Sequence, residues 1–199
     1  MEPVRQITGT AVPLDRSDVD TDQIIPSDWL KRVERTGFGA GLFSEWRDDP
    51  DFIMNNPAYA SASVLLAGPN FGVGSSREHA VWALQDYGFD AIVSPRFGDI
   101  FRNNALKGGL LPIVIEEQLI ESIAQAVTAD PTTIIEIDVA DRTLKVPAID
   151  VSVTFPLDDF TQWRLLEGLD DIGITLRNEA DITAFETKRP SYKPSVSAD

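Results

Sequence analysis

The chain has 199 residues, of which 43% are hydrophobic and 25% are charged, a composition that is ordinary for one globular domain. Its formal net charge of -15 opposes nucleic acid or an anionic membrane as a partner, because affinity for phosphate depends mainly on cations. With no cysteine and one histidine, the sequence predicts no disulfide, no metal site and no iron–sulfur cluster held by this chain alone.

The chain begins with a predicted strand at 7–14, which an acidic stretch follows. Asp18, Asp20 and Asp22 alternate there as in a calcium loop, but the glycine and the glutamate that such a loop needs are missing. We therefore expect Asp20 and Asp22 to orient a neighbouring loop rather than to bind a metal ion.

Three segments hold nine of the 13 glycines, namely 29–47, 68–80 and 94–109. The first and the third carry an excess of positive charge on an otherwise acidic chain. Glycine permits sharp bends and a close approach of the backbone to a ligand. The pattern predicts mobile loops around a small anionic ligand, although ordinary turns would also explain the glycines.

A strand at 64–67, a glycine-rich loop and a helix follow one another in the middle of the chain. Ser75 and Ser76 stand at the predicted start of the helix, and Glu78 would complete a capping box with Ser75. Backbone N–H groups, the positive end of the helix dipole and the Arg77 guanidinium would meet there, which predicts an anion site. A capping serine beside a surface arginine would fit the same spacing.

The central motif does not match three better-known sites. It is not a dinucleotide fingerprint, because Arg77 stands where the third glycine belongs, and no Gly-Lys-Ser/Thr run marks a P-loop. The glycine that a nucleophile elbow needs after Ser75 is also missing. A serine can still act as a base where N–H groups, a helix dipole and a fixed cation hold its alkoxide, and this loop could supply all three.

Strands and helices then alternate before a run of strands. Further strands are predicted at 91–93, 110–115, 133–138, 143–146 and 149–155, and further helices at 99–107, at 116–127 and from Asp158. This order predicts an α/β fold, a barrel-like mixed sheet flanked by helices, as one domain at 1–188 with a disordered tail at 189–199. No apolar run approaches the roughly 20 residues of a membrane helix and no signal peptide is evident, so we expect a cytoplasmic protein.

Three motifs resemble the swivel domain of the aconitase family. They are Gly-Pro-Asn-Phe-Gly-Val-Gly-Ser-Ser-Arg-Glu-His-Ala at 68–80, Asp-Thr-Asp-Gln-Ile-Ile-Pro at 20–26, and the run from Phe97 through Asn104 to Gly-Leu-Leu-Pro at 109–112. The stand-alone length and the segments 35–39 and 82–89 further resemble the small subunits of bacterial isopropylmalate dehydratases.

The resemblance implies a swivelling β/β/α domain and a hydro-lyase that interconverts 2-isopropylmalate and 3-isopropylmalate in leucine biosynthesis. It also implies a heterodimer whose large subunit holds a [4Fe–4S] cluster as a Lewis acid, while this chain binds the small dicarboxylate substrate. Ser75 matches the family's catalytic serine, which takes and returns the carbon-bound proton. Ser76 and Arg77 match its contacts to the substrate carboxylates, and Arg77 would also stabilise the charge that grows in the reaction. We add Arg35 and Gly74 as substrate-binding candidates.

The sequence also predicts roles for other residues near these motifs. We expect His79 to tie the start of the helix to the loop rather than to shuttle protons. The loop at 31–43 is expected to recognise the isopropyl group, because it combines the apolar Leu42 and Phe43 with Arg35. Asn104 and Lys107 would line the cleft or lie on a solvated helix face.

Two other functions fit the sequence. The chain could be the small subunit of a related dehydratase that acts on homoaconitate or citraconate. It could also be a non-catalytic subunit that binds anions and scaffolds a partner. Proton exchange at the substrate carbon that depends on both Ser75 and the partner would separate an enzyme from such a scaffold.

Overall fold

A mixed β-sheet is the frame of the fold. The computed structural model describes residues 1–31, 36–74, 77–190 and 192. Within these residues the strands are β1 (Gln6–Leu14), β2 (Val64–Ala67), β3 (Ala91–Ser94), β4 (Leu111–Val114), β5 (Ile134–Asp138), β6 (Thr143–Val146) and β7 (Val151–Thr154). They lie in the order β4-β3-β2-β1-β5-β6-β7, with β4 and β7 at the two ends of the series.

Strand β1 joins two half-sheets of different type. Its second half pairs with β2 in parallel, where Ala11 lies opposite Val64. Its first half pairs with β5 in antiparallel fashion, where Ile7 lies opposite Ile137. β3 and β4 extend the parallel half, and β6 and β7 extend the antiparallel half.

Helices connect and cover these strands. In the described residues the α-helices are α1 (Thr21–Ile24), α2 (Ser44–Arg47), α3 (Glu78–Tyr87), α4 (Asp99–Gly108), α5 (Glu117–Ala129), α6 (Asp159–Glu167), α7 (Asp171–Leu176) and α8 (Glu179–Thr187). α3 and α4 form the crossovers from β2 to β3 and from β3 to β4, and they pack against each other, while α5 lies against β1, β2 and β3. The predicted α/β fold, a mixed sheet flanked by helices, is confirmed.

The core is centred on the parallel half-sheet. Every residue of β2 and β3 is buried, which explains why these strands appear in the sequence as nearly continuous apolar runs. The antiparallel half has one exposed face, since β5 alternates exposed and buried residues. No helix in the described part of the chain combines the length and the apolar content needed to cross a membrane. The predicted disordered tail falls mostly outside the described residues, which include only 189, 190 and 192 of it.

The described part of the first glycine-rich segment, 36–43, packs into the core. Phe38, Leu42 and Phe43 are fully buried, and the Phe43 ring stacks on Trp46 with 5.1 Å between the ring centroids. These side chains are part of the scaffold, and the mobility predicted for the loop stays a prediction that hydrogen exchange would test. Leu42 and Phe43 cannot supply the predicted contact to the isopropyl group, because both side chains are fully buried. Residues 32–35 of the same loop lie outside the described residues, so recognition of the substrate by the loop at 31–43 stays a prediction.

Candidate active site at the carboxyl end of the parallel strands

The central motif leaves the carboxyl end of β2 between the segments that follow β1 and β3. Val73 forms a parallel bridge with Asp20 on one side, and Phe71 forms a parallel bridge with Phe97 on the other. The loop therefore continues the parallel sheet for a few residues beyond its strands. In open α/β sheets ligands bind outside this carboxyl edge, which makes the position one where a site is expected.

Backbone hydrogen bonds hold the loop to the segment after β1. The Gly72 N–H donates to the Val19 carbonyl at 2.7 Å, and the Thr21 N–H donates to the Val73 carbonyl at 3.0 Å. These bonds fix the backbone of 72–73 against the start of α1. The acidic stretch thus orients the neighbouring loop, as the sequence predicts.

The segment after β3 fixes the other side of the loop. The Phe71 N–H donates to the Arg96 carbonyl at 3.1 Å, and the Gly98 N–H donates to the Phe71 carbonyl at 2.9 Å. Below them, the Phe71 ring lies edge-on to Phe101 with 5.4 Å between centroids. A buried aromatic cluster therefore supports the loop from the side of α4.

Gly72 is needed because the backbone and α4 come very close there. Its φ is +73°, and a Cβ atom at this position would lie 2.2 Å from Cγ of Phe101. Real Cβ atoms do not approach other atoms so closely, so a larger residue would have to displace the Phe101 ring or the loop.

We expect Gly72→Ala to lower the free energy of unfolding by about 3 kcal/mol, because it combines left-handed backbone strain with overpacking. Gly109→Ala is the matched control, since Gly109 has a φ of +88° and an added Cβ would meet only the flexible side chain of Met1, at 3.3 Å. It should cost about 1 to 2 kcal/mol, from backbone strain alone. Urea titration of the two variants measures the difference, and equal losses would show that the contact with Phe101 does not require glycine at 72.

Asp20 organises the short helix beside the loop. Its Oδ1 accepts the N–H groups of Asp22 at 2.7 Å and of Gln23 at 3.0 Å. The Gln23 side-chain oxygen in turn accepts the Asp20 N–H at 2.9 Å, which completes a capping box. The capping box fixes the backbone of Asp22, and the Asp22 carboxylate forms an ion pair with Arg77.

Arg77 stands directly before α3 and faces the segment that Asp20 organises. It is the N-cap residue of α3, and its side chain makes no capping hydrogen bond to the helix. The predicted capping box between Ser75 and Glu78 is wrong, because the helix begins at Glu78 and Glu78 is thus its first residue rather than its third. The Arg77 side chain is 18% exposed and the Asp22 side chain is 54% exposed, so the ion pair reaches solvent.

The structure brings two of the predicted site residues together. Gly74 has a φ of +92°, and a Cβ added to it would lie 3.3 Å from Cβ of Asp20, the residue that leads into α1. Arg77 reaches the same helix through Asp22. Ser75, Ser76 and Arg35 lie outside the described residues, so their assignments stay predictions from the sequence.

The His79 ring packs against the segment at 36–43 and against its own helix, whereas the sequence predicts a contact to the glycine-rich loop before α3. The His79 ring lies 5.3 Å from the Phe38 ring and 4.7 Å from the Trp82 ring, measured between centroids. It thereby joins the first turn of α3 to the buried segment at 36–43. The Gly39 N–H, which donates to the Asp86 carboxylate at 2.8 Å, makes a second link between the same two elements.

Comparison with known proteins identifies the family. Residues 1–118 match the family model of the aconitase C-terminal domain, and residues 171–195 match that of the C-terminal domain of the 3-isopropylmalate dehydratase small subunit. A 3-isopropylmalate dehydratase small subunit from Parafrankia sp. is 64% identical over 98% of this chain and 100% of its own length. One from Acidothermus cellulolyticus is 59% identical over 100% of both chains. The chain belongs to the 3-isopropylmalate dehydratase small-subunit family.

A solved structure agrees with this membership. The crystal structure of 3-isopropylmalate dehydratase from Methanocaldococcus jannaschii matches this fold with a TM-score of 0.66 at 25% sequence identity. The match covers 90% of this chain and 99% of that chain. Both chains thus have the same architecture over nearly their whole length.

The next question about the site is whether this chain can hold the [4Fe–4S] cluster that the resemblance implies. This chain contains no cysteine, so it offers no thiolate ligand to an iron–sulfur cluster. In the described ranges, no group of three or more His, Asp or Glu side chains is arranged to hold a metal ion. The residues of this chain therefore do not fit the cluster.

Asn104 and Lys107, two other residues singled out in the sequence, lie on α4. They line a cavity of about 330 Å³ between α4 and α6, together with Ile100 and Arg164. Lys107 forms an ion pair with Asp171 of α7 at 3.1 Å. A second cavity, of about 880 Å³, opens beside α5 and is lined by neither Gly74 nor Arg77.

Proposed function

We propose that this chain is the small subunit of a cytoplasmic hydro-lyase that interconverts 2-isopropylmalate and 3-isopropylmalate by dehydration and rehydration, a reaction of leucine biosynthesis. The observation that carries the proposal is the 64% identity, along the full length, to a protein named as a 3-isopropylmalate dehydratase small subunit. The position of the glycine loop at the carboxyl edge of the parallel strands supports it.

Ser75 is the proposed base. In the dehydration direction it takes the proton from a substrate carbon, and the electron pair of that C–H bond becomes the second bond of the alkene. The neighbouring hydroxyl group leaves as hydroxide and is released as water after it takes up a proton. The residues on either side of Ser75 and Ser76 support this assignment, because Gly74 and Arg77 both lie next to the segment at 20–22.

Arg77 is proposed to bind a substrate carboxylate. A guanidinium can hold a carboxylate through two parallel hydrogen bonds, which aligns the adjacent carbon with a base. Arg77 already holds a carboxylate, that of Asp22, and the pair reaches solvent. Further contacts to the dicarboxylate are proposed for the Ser76 and Arg35 side chains and for the backbone of Gly74.

The proposal divides the reaction between two chains. The residues of this chain account for proton transfer and for carboxylate binding only. We assign the [4Fe–4S] cluster, and with it the loss of hydroxide, to the large subunit, since this chain has no cysteine to bind a cluster.

Reconstitution tests the proposed function. The chain is purified alone and together with a cluster-bearing large subunit under anaerobic conditions, and alkene formation from 2-isopropylmalate is followed by absorbance. We expect turnover only by the two subunits together, and far less hydration of homoaconitate or citraconate. Turnover by the isolated chain, or a preference for one of the other two substrates, would contradict the proposal.

A further inference from the structure

Helix α8 forms in this fold with almost no buried side chain. It has nine residues, fewer than the roughly 12 to 15 that an isolated helix needs to be stable in water. Ile182 is partly buried and all its other residues are exposed, with Phe185 69% exposed. Asn178 stands at its N-cap without a capping hydrogen bond from the side chain. A helix of this kind gains most of its stability from a surface against which it packs.

Helix α7, directly before it, is fixed to the body so that apolar side chains face solvent. Asp171, its first residue, forms ion pairs with Lys107 of α4 at 3.1 Å and with Arg164 of α6 at 3.0 Å. The hydrogen bond from Lys107 holds the pKa of the Asp171 carboxyl below its ordinary value. Ile172 and Leu176 are one turn apart and are 69% and 57% exposed.

Three exposed apolar side chains on two consecutive helices are what we call the C-terminal apolar surface, namely Ile172 and Leu176 of α7 and Phe185 of α8. A monomeric protein rarely exposes several large apolar side chains on neighbouring elements without a partner for them. The surface is also connected to the candidate site through α4. That helix packs beside Gly72 at its start and is paired to α7 through Lys107 near its end.

We propose that the C-terminal apolar surface docks the large subunit, in an apolar groove with a basic rim. This inference rests on the proposed function. The segment that carries the surface begins at residue 171, where the second family match begins, well beyond the 1–118 match to the aconitase domain. A swivel domain that is a separate chain has no covalent link to the rest of the enzyme. It therefore needs a surface of this kind to bind the large subunit. The proposed rim is basic because α8 exposes three carboxylates that it would attract, those of Glu179, Asp181 and Glu186.

A second copy of this chain is a poorer occupant. The chain carries a formal net charge of -15, so two copies joined at this surface would bring acidic helices together. Repulsion between like charges on such a scale opposes self-association. A large subunit with a basic rim would instead attract these acidic helices, and in the proposed function it must also cover the neighbouring site for the reaction to occur.

The test uses a double variant, Leu176→Asp with Phe185→Asp, and its binding to the large subunit by isothermal titration calorimetry. We expect the affinity to fall by at least about tenfold, as for the loss of central apolar contacts in an interface. The melting temperature of the isolated chain should not change, because both side chains are exposed. At saturating large subunit the value of kcat should equal that of the wild type, and backbone amides of 179–187 in the wild type should gain protection from hydrogen exchange when the large subunit is added.

Ile149→Asp is the control, since Ile149 is an exposed isoleucine outside α7 and α8, directly before β7. It should bind as the wild type does. Wild-type affinity of the double variant would overturn the docking surface while leaving the proposed function intact. If the wild type forms a dimer and the double variant is monomeric, the surface binds a second copy of this chain, and the docking proposal is wrong. If the wild type itself neither binds the large subunit nor supports turnover, the proposed function fails as well.

Discussion

Replacement of Ser75 by alanine is expected to lower the turnover of the assembled enzyme by about two to four orders of magnitude, as loss of a general base does. The substitution removes one hydroxyl and leaves Gly72, Gly74 and Arg77, which shape the described loop, unchanged. Affinity for the large subunit and the melting temperature should therefore stay at wild-type values. Steady-state kinetics with saturating large subunit gives the measurement.

Ser122→Ala is the matched control for this experiment. Ser122 is an exposed serine on α5, and its hydroxyl donates to the Gln118 carbonyl at 2.9 Å within the helix. This variant should have wild-type turnover. Retention of most activity by a well-formed complex of Ser75→Ala would remove Ser75 from the mechanism and would leave the loop with a binding role alone.

Arg77→Lys should raise KM and lower kcat, and together these changes should lower kcat/KM by roughly one to two orders of magnitude. Lysine keeps the charge but loses the planar fork that binds a carboxylate through two hydrogen bonds. It can still form an ion pair with Asp22, so the melting temperature should change little; exposed pairs contribute about 1 kcal/mol or less.

The split between KM and kcat separates substrate binding from a structural role for Arg77. If Arg77 serves only to pair with Asp22, the lysine variant will keep both constants near the wild type, and the arginine will be structural. Arg5→Lys, at an exposed arginine before β1, is the control for the loss of a guanidinium as such and should change neither constant.

Periodicity and helix-stop signals predicted most of the fold. The apolar runs at 64–67 and 91–93 became β2 and β3, and Gly109, which has a φ of +88°, ends α4 where the sequence predicts. Asp158 caps α6 through the N–H of Thr161 at 2.9 Å, as its position before an apolar helix indicates. These features depend on neighbours in the sequence, which is why a single chain is enough to predict them.

The sequence did not predict that the glycine-rich segment at 36–43 packs into the core, because glycine has two uses. Alternating glycines indicate mobility when nothing lies beside them. Here a Cβ at Gly39 would lie 2.8 Å from the backbone nitrogen of Tyr87, so this glycine allows the segment to pack on α3. The contact joins residues far apart in the chain, and no local pattern predicts it.

Local sequence also could not predict which residue caps each helix at the site, as the start of α3 and the capping box at Asp20 show. Serines, threonines and aspartates cluster in both motifs, and each could cap a helix. Which one does so depends on the bridge between Asp20 and Val73, a tertiary contact. The roles of Ser75 and Ser76 come from the family resemblance, and Arg35 is an added candidate. All three residues lie outside the described residues, so kinetics must test their roles.

The central claim is that this chain supplies the base for a reaction that it cannot complete alone. Hydrogen exchange at the substrate carbon, followed by mass spectrometry in D₂O, tests it most directly. The account predicts that the wild-type chain with its large subunit places one deuterium on that carbon. It also predicts that the isolated chain places none, and that the Ser75→Ala complex places deuterium at least about a hundredfold more slowly. Undiminished exchange by the Ser75→Ala complex, or any exchange by the isolated chain, would contradict it.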